Sequence, residues 1–233
     1  MKVVIFAGGF GTRLGDITKK IPKPMVKIKG KPIIYYIIKH YYKYQFRNFL
    51  ILTGYKHKIL SNYLKTLKLK DAKIKIFNTG INTMTGGRLK RISNQFKKNE
   101  VFHLTYGDAI SDVNLDVLTQ KFLRRKKSAQ VLAVNPTTKY GELKIKRNVV
   151  IGFKEKPKFK NIWINGGFFI FNTDIFKYLK NDKTILEKEP LEKLAKDKKM
   201  YSFKFDGYWK CVDTQRDLKE LRLDLNKLSS KFL

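Results

Sequence analysis

Apolar runs of strand length alternate with longer amphipathic stretches through the first half of this chain. Val3–Ala7 is a continuous apolar run that ends at glycine, the pattern of a strand covered on both faces. Pro32–Tyr44 carries isoleucine and tyrosine at helical spacing and is entered through Pro32, a residue suited to a first helical turn. Asn48–Thr53 reads as a second strand, Lys56–Leu67 as a helix and Lys73–Thr79 as a third strand with alternating apolar positions. Thr85–Phe96 reads as a helix with Leu89, Ile92 and Phe96 on one face. Glu100–Tyr106 is a fourth strand that closes on Gly107-Asp108.

This β–α alternation predicts an α/β fold, a mostly parallel Rossmann-like sheet with helices on both faces. Leu118–Arg125 continues it as a helix. The pattern then changes. Ala129–Asn135, Glu142–Lys146, Val149–Phe153 and Trp163–Phe171 are short strands in succession, which predict a small added antiparallel portion. Thr173–Leu179 and Glu187–Lys196 read as helices, Met200–Phe205 as a strand and Thr214–Leu228 as a closing amphipathic helix. With no repeat, linker or low-complexity stretch in view, residues 1–233 are expected to form one domain.

Composition narrows the class. Hydrophobic residues make up 42%, which excludes a disordered chain. The longest apolar stretch, Pro32–Ile38, is far too short for a membrane span, and the N-terminal apolar run is too short for a signal peptide. A cytoplasmic location is therefore expected. The single cysteine, Cys211, has no internal disulfide partner and reads as a small core residue. His40, His57 and His103 show no metal-ligand spacing and read as structural or solvated. The net charge of +32 invites a nucleic-acid reading. The lysines are scattered along every segment, however, and no recognition motif accompanies them, so no specific nucleic-acid partner is expected.

The candidate chemistry is concentrated near the N-terminus. The strand Val3–Ala7 runs into Gly8-Gly9-Phe10-Gly11-Thr12-Arg13, and Lys23 follows between two prolines. Glycines at a strand end let backbone N–H groups close on an anion, and Arg13 and Lys23 add fixed positive charge. A P-loop would need Gly-x-x-x-x-Gly-Lys-Ser/Thr, which is absent. The dinucleotide fingerprint fails because Leu14 stands where its third glycine belongs. What remains is a cradle for a nucleoside triphosphate. Ligands of parallel α/β sheets bind beyond the carboxyl ends of strands, so the Gly8–Arg13 turn and Asp108 can share one crevice.

AGGFGTRL followed by IPKPM resembles the sugar-phosphate nucleotidyltransferases. Tyr106-Gly107-Asp108, Tyr140-Gly141-Glu142, Glu155-Lys156-Pro157, Asn165-Gly166-Gly167-Phe168 and Asp213 in Cys211-Val212-Asp213-Thr214 follow in the family's order. Thr83–Arg91 (TMTGGRLKR), INGGFF and the stretch from Glu187 to Ala195 resemble the branch that uses CTP and glucose 1-phosphate. The similarity runs over essentially the whole chain.

The resemblance implies transfer of a nucleotidyl group, CMP from CTP, to a sugar 1-phosphate with release of pyrophosphate. Ala7, Gly8, Gly9, Gly11, Thr12, Arg13, Lys23, Thr83, Arg88 and Gly107 are then expected at the nucleotide. Arg13, Lys23 and Asp108 would be catalytic, with Lys90 also favouring phosphate near the start of the Thr85 helix. Asp108 and Asp213 would hold one Mg²⁺, an ion that needs few carboxylates beside phosphate oxygens and water. Asp213 could equally cap the final helix. Gly141, Glu142, Glu155, Lys156, Asn165 and Gly166 would meet the sugar phosphate, in the antiparallel portion. A glycosyltransferase of similar fold is disfavoured, because only one aspartate stands in Asp108-Ala109-Ile110. One departure is visible: the connection between Leu67 and Asn78 is short, where the branch carries an insertion associated with nucleotide contacts and subunit packing. Base choice and assembly as a homo-oligomer stay open on that account. Another NTP or acceptor, or a non-catalytic basic binding protein, remains the alternative.

Overall fold

The computed structural model describes residues 1–125, 127–138, 140–157 and 162–227. The chain opens with β1 (Lys2–Ala7), α1 (Asp16–Lys20) and the small pair β2 (Lys27–Ile28) and β3 (Lys31–Pro32). It continues through α2 (Ile33–Lys43), β4 (Asn48–Thr53), α3 (His57–Thr66), β5 (Lys73–Asn78), α4 (Thr85–Lys90) and β6 (Val101–Tyr106). Next come β7 (Ala109–Ser111), α5 (Leu115–Arg125), β8 (Ala129–Val134), β9 (Glu142–Lys146), β10 (Val149–Lys154) and β11 (Ile164–Asn172). The last elements are α6 (Glu189–Lys196), β12 (Met200–Phe205), β13 (Trp209–Cys211) and α7 (Gln215–Lys227).

A seven-stranded sheet in the order β12-β8-β11-β6-β1-β4-β5 organises these elements. β1 sits between β4 and β6, parallel to both, and β5 runs parallel to β4. β12 is parallel to β8, whereas β11 runs antiparallel to its neighbours β6 and β8. Side chains of a strand alternate between faces, and β1 feeds both cores. Val3 and Ile5 enter one core with Ile34 and Ile38 of α2, Phe122 of α5 and Leu221 of α7. Val4 and Phe6 enter the other with Leu89 of α4 and Leu194 of α6. Among the described residues no helix is long and apolar enough to cross a membrane.

The helices form where their sequences supply a buried stripe or a cap. α2 follows Pro32 and buries Ile33, Ile34, Ile37, Ile38 and Tyr41. Each fully buried aliphatic side chain of that stripe is worth about 1.5–3 kcal/mol of transfer free energy. α5 begins three residues before the predicted start. Asn114 explains this, because its Oδ1 accepts from the amides of Asp116 and Val117, both at 3.0 Å.

Other predicted boundaries move for similar reasons. The predicted Thr85–Phe96 helix stops at Lys90, and Ser93–Gln95 forms a 3₁₀ turn instead. Serine and asparagine favour such turns by offering the backbone side-chain partners. Thr173–Tyr178 is a 3₁₀ helix, not an α-helix. α6 starts at Glu189 with Pro190 in its first turn, which leaves Glu187 in the segment before it. Leu228, the predicted end of the last helix, lies outside the described residues.

Two of the four strands expected in a separate antiparallel portion belong to the main sheet. β8 and the centre of β11 are buried on both faces, as befits continuous apolar runs inside a sheet. Only β9 and β10 form a ribbon of their own, with lysines between exposed apolar side chains. β7 and β13 have no counterpart in the sequence reading. They pair antiparallel, with Cys211 opposite Ala109.

Candidate active site

The carboxyl ends of β1 and β6 and the segment that follows β5 open onto one crevice. Beyond β1 the chain turns through Gly11, whose φ of 66° is left-handed. The Gly11 carbonyl accepts from the Leu14 amide and the Thr18 hydroxyl, each at 3.1 Å. A Cβ at Gly11 would stand 2.9 Å from Cβ of Lys23. Both the backbone angle and the closeness of Lys23 therefore require glycine here.

The crevice holds a cavity of about 560 Å³. Ala7, Gly8, Gly9, Gly11, Thr12 and Arg13 line one side of it. Lys23, Gly107 and Asp108 are also on its wall, as are Thr83 and Arg88. All residues expected at the nucleotide thus border one space, although they come from segments about a hundred residues apart.

At the edge of this cavity lies a compact ion cluster. Nζ of Lys23 donates to Asp108 Oδ2 at 2.6 Å and to Asp213 Oδ1 at 2.7 Å. Nη2 of Arg13 pairs with the same Asp213 oxygen at 3.0 Å. The Lys23 side chain is only 10% exposed. Burial alone would lower its pKa, but Asp108 and Asp213 outweigh burial and hold it above the ordinary lysine value. The second oxygen of Asp108, Oδ1, is buried with no hydrogen-bond partner among the described residues. Two carboxylates that already converge on one cation, with a further oxygen unsatisfied, are a donor set suited to Mg²⁺.

The backbone explains how residues so distant in sequence meet. Asp108 immediately precedes β7, and Asp213 lies two residues after β13. The pairing of these strands is extended by the Val212 amide, which donates to the Asp108 carbonyl at 2.9 Å. The cap of α7 is supplied by other residues. Asp217 Oδ2 accepts from the Thr214 amide at 2.7 Å, and the Asp217 amide donates to Thr214 Oγ1 at 3.2 Å. That reciprocal pair is a capping box, so Asp213 turns its carboxylate to Lys23 and Arg13.

Two expectations change at the level of side chains. Arg88 borders the cavity, yet its guanidinium is buried in the fold. It donates to the carbonyls of Gly8 and Thr53 at 3.0 Å, to Gly80 at 2.8 Å and to Thr79 Oγ1 at 2.6 Å. Burial, with nearby Arg91, lowers its pKa. Arg88 therefore ties together the ends of β1, β4 and β5. Lys90 lies outside this cavity and donates to the Lys180 carbonyl.

Cys211 is half-buried and packs against the edge of one core. Its sulfur lies within 4.8 Å of carboxylate oxygens of Asp108 and Asp213. Burial first, and then the Asp108 charge, push the thiol pKa up. It stays protonated, consistent with a residue that is not a nucleophile.

The expected sugar-facing residues are divided. A second cavity, of about 440 Å³, adjoins the ion cluster at Asp213 and is bordered by Lys156. Asn165 donates to the Tyr106 hydroxyl at 3.4 Å and accepts from the Gly167 amide at 2.8 Å. The Gly166 carbonyl accepts from Trp209 Nε1 at 2.7 Å. Gly141, Glu142 and Glu155 belong to the β9–β10 ribbon region and line neither cavity. Glu155 instead pairs with the adjacent Lys156 at 3.0 Å. The ribbon lacks a core of its own, with Leu143, Ile145, Val149 and Phe153 exposed.

Comparison with known proteins gives the same architecture a lineage. The sequence pattern of the family described as nucleotidyl transferase matches residues 2–227. This chain belongs to that family. It is 37% identical over 238 residues to the glucose-1-phosphate cytidylyltransferase of Salmonella typhimurium, covering 93% of each chain. It is 32% identical over 222 residues to the D-glycero-alpha-D-manno-heptose 1-phosphate guanylyltransferase of Campylobacter jejuni, covering 93% of this chain and 96% of the relative. A crystal structure of UDP-glucose pyrophosphorylase complexed with UDP-glucose shares the fold, with a TM-score of 0.74 at 22% identity over 97% of this chain and 98% of that one.

The nucleotidyltransferase cavity includes residues that the sequence reading passed over. Phe10, Ile81 and Met84 expose 46%, 51% and 47% of their surface along its rim. Large apolar side chains held open beside a phosphate-type turn offer a face on which a flat base can pack. Tyr106 and Thr85 are also on the wall. Their signal was present in the sequence as Tyr-Gly-Asp at a strand end and as the TMTGG string, but neither side chain was given a role. In this nucleotidyltransferase the positive charge of Arg13 and Lys23 is set against Asp108 and Asp213 at one point. The two cations and two carboxylates balance each other there, at the edge of the cavity.

Proposed function

We propose that this nucleotidyltransferase joins CTP to glucose 1-phosphate, releasing pyrophosphate and CDP-glucose. The observation that carries this reading is the Asp108–Lys23–Asp213 cluster, set beside a glycine turn at the end of β1. The choice of CTP and glucose 1-phosphate rests on the TMTGGRLKR string and on the 37% identical relative of that name.

The attacking oxygen of a sugar phosphate is already ionised at neutral pH, so the reaction needs no general base. The barrier lies in bringing two polyanions together, and catalysis is positioning plus charge neutralisation. The amides of Gly8, Gly9 and Gly11 cradle the triphosphate, and Arg13 binds the leaving pyrophosphate. Lys23 offsets charge at the α-phosphate once its carboxylate partners turn to a metal. Asp108 and Asp213 are the residues that would hold Mg²⁺, which supplies positive charge to phosphate oxygens when bound. Lys156 and Asn165 take the sugar phosphate beside Asp213 and Tyr106.

Incubation with CTP, glucose 1-phosphate and Mg²⁺ should release pyrophosphate, and Asp108→Asn should reduce that release by about 100-fold or more. Wild-type turnover in Asp108→Asn sinks the metal assignment. A panel of four NTPs against glucose, mannose and heptose 1-phosphates tests the substrates. The 32% identical guanylyltransferase makes GTP with a heptose 1-phosphate the competing pair.

A further inference from the structure

We propose that Glu187 is a positioning residue that locks the nucleotide wall of the cavity to its sugar side. The proposal rests on the two-substrate reading above and adds to it a coupling between the two halves of the site.

Glu187 lies just ahead of α6, and its carboxylate bridges two hydroxyls that border the cavity. Thr85, the first residue of α4, donates to Oε2 at 2.6 Å. Tyr106, the last residue of β6, donates to Oε1 at 2.6 Å. The two donors are 102 and 81 residues from Glu187 in sequence. Both bonds are short and charge-assisted, the strong class of hydrogen bond. Thr85 Oγ1 in turn accepts from the Leu186 amide at 2.9 Å, which settles the direction of its own proton toward Glu187.

The same polarity continues toward the sugar side. Because the Tyr106 hydroxyl donates to Glu187, its lone pairs face the Asn165 amide, 3.4 Å away. Asn165 Oδ1 is fixed by the Gly167 amide, so the side chain has one orientation. A chain of contacts thus runs Thr85–Glu187–Tyr106–Asn165, from the TMTGG loop to the INGG strand. The segment that carries Glu187 is itself held against that loop. The Met84 amide donates to the Asp182 carbonyl at 2.8 Å, and the Gly87 amide to the Thr184 carbonyl at 3.1 Å. Thr85 and Tyr106 share no direct hydrogen bond. The carboxylate is the polar group that both of them bond.

That last point gives the test. Thr85→Val and Tyr106→Phe are made singly and together, in wild type and in Glu187→Ala. The dissociation constant of each Mg²⁺-NTP is measured by calorimetry, using the NTP that wild type binds most tightly. Where turnover is found, the KM for the sugar phosphate is added. In wild type the two substitutions are expected to be strongly non-additive. In Glu187→Ala they become additive. Glu187→Ala alone should weaken nucleotide binding and raise the sugar-phosphate KM, each by about 10-fold. kcat at saturation should change less, and Glu187→Asp should recover part of the loss. Additivity already present in wild type, or non-additivity that survives in Glu187→Ala, overturns the proposal. The titrations need no turnover, so a wrong substrate assignment appears separately, as wild-type protein that binds an NTP but consumes none of the sugar phosphates.

Discussion

Lys23 and Asp108 stand 85 residues apart in sequence and 2.6 Å apart in the fold, ammonium against carboxylate. Asp213 completes the arrangement from the opposite direction, so one buried cation is shared by two acids. The lysine is part of what keeps the two carboxylates together before any ligand arrives.

Lys23→Met removes that cation and leaves two acids facing each other. In metal-free buffer the variant should lose about 1–3 kcal/mol, a figure discounted for the partial exposure of both aspartates. Mg²⁺ should restore much of it. Thermal melts with and without Mg²⁺ check this, and a larger metal-induced rise in K23M than in wild type is expected. An equal rise in both proteins contradicts the shared-cation picture.

Asp213 and Asp217 are four residues apart but do different work. Asp217→Ala breaks the capping box of α7 and should cost about 0.5–2 kcal/mol of stability with nucleotide binding little changed. Asp213→Asn should leave the helix intact and abolish most pyrophosphate release. Urea denaturation beside a turnover assay separates the two. Equal losses of stability would contradict the assignment of the cap.

A Cβ at Gly8 would lie 2.3 Å from Nη1 of Arg88. Gly8→Ala should therefore cost about 1–3 kcal/mol through overpacking. Arg88→Met strands the carbonyls that the guanidinium served and should cost about 1–3 kcal/mol for each group left unsatisfied. The double variant should be less damaging than the sum, because the clash disappears with the guanidinium. Strict additivity in chemical denaturation speaks against this contact.

Acid should weaken the fold through two histidines. Burial pushes His103 down to about 3 and His40 to about 4. The unfolded chain titrates near 6.5, so the unfolded state takes up protons first as pH falls. Their contribution is complete above about pH 6.5 and is lost progressively below it, at about 1.4 kcal/mol per pH unit for each histidine. Unfolding free energies between pH 7 and pH 5 read this slope. His103→Gln should reduce it, even though the variant is less stable at neutral pH.

The parallel half of the fold was legible because β1 and β4 are buried on both faces and β5, at the sheet edge, alternates. Val3–Ala7 and Asn48–Thr53 have no polar interruption, and the helices between them carry clear apolar stripes. That the glycines, Arg13 and Lys23 border one cavity was legible for a related reason: one short stretch of chain brings them together. The reading failed where structure depends on partners remote in sequence. β8 and β11 look like pieces of a separate antiparallel unit until their burial within the main sheet is seen. Arg88 looks like a ligand of phosphate, since nothing local reveals that the carbonyls of Gly8, Thr53, Gly80 and Ile81 surround it. β7 and β13 are three residues each, too short for any periodicity to register.

Those two short strands lie in a ribbon outside the seven-stranded sheet, and a ribbon of two strands is marginal when left to itself. The acids that meet Lys23 are therefore hung on one of the weaker rungs of the molecule. Parting Ile110 from Lys210 would dissolve the cluster and open the edge of the core to which Ala109, Ile110 and Val212 belong, while the core on the other face of the sheet stays closed. Hydrogen exchange at those two amides should run ahead of exchange in β1 and slow sharply when Mg²⁺ and a triphosphate are added, so that the act of assembling a catalytic centre registers as the zipping of a single rung.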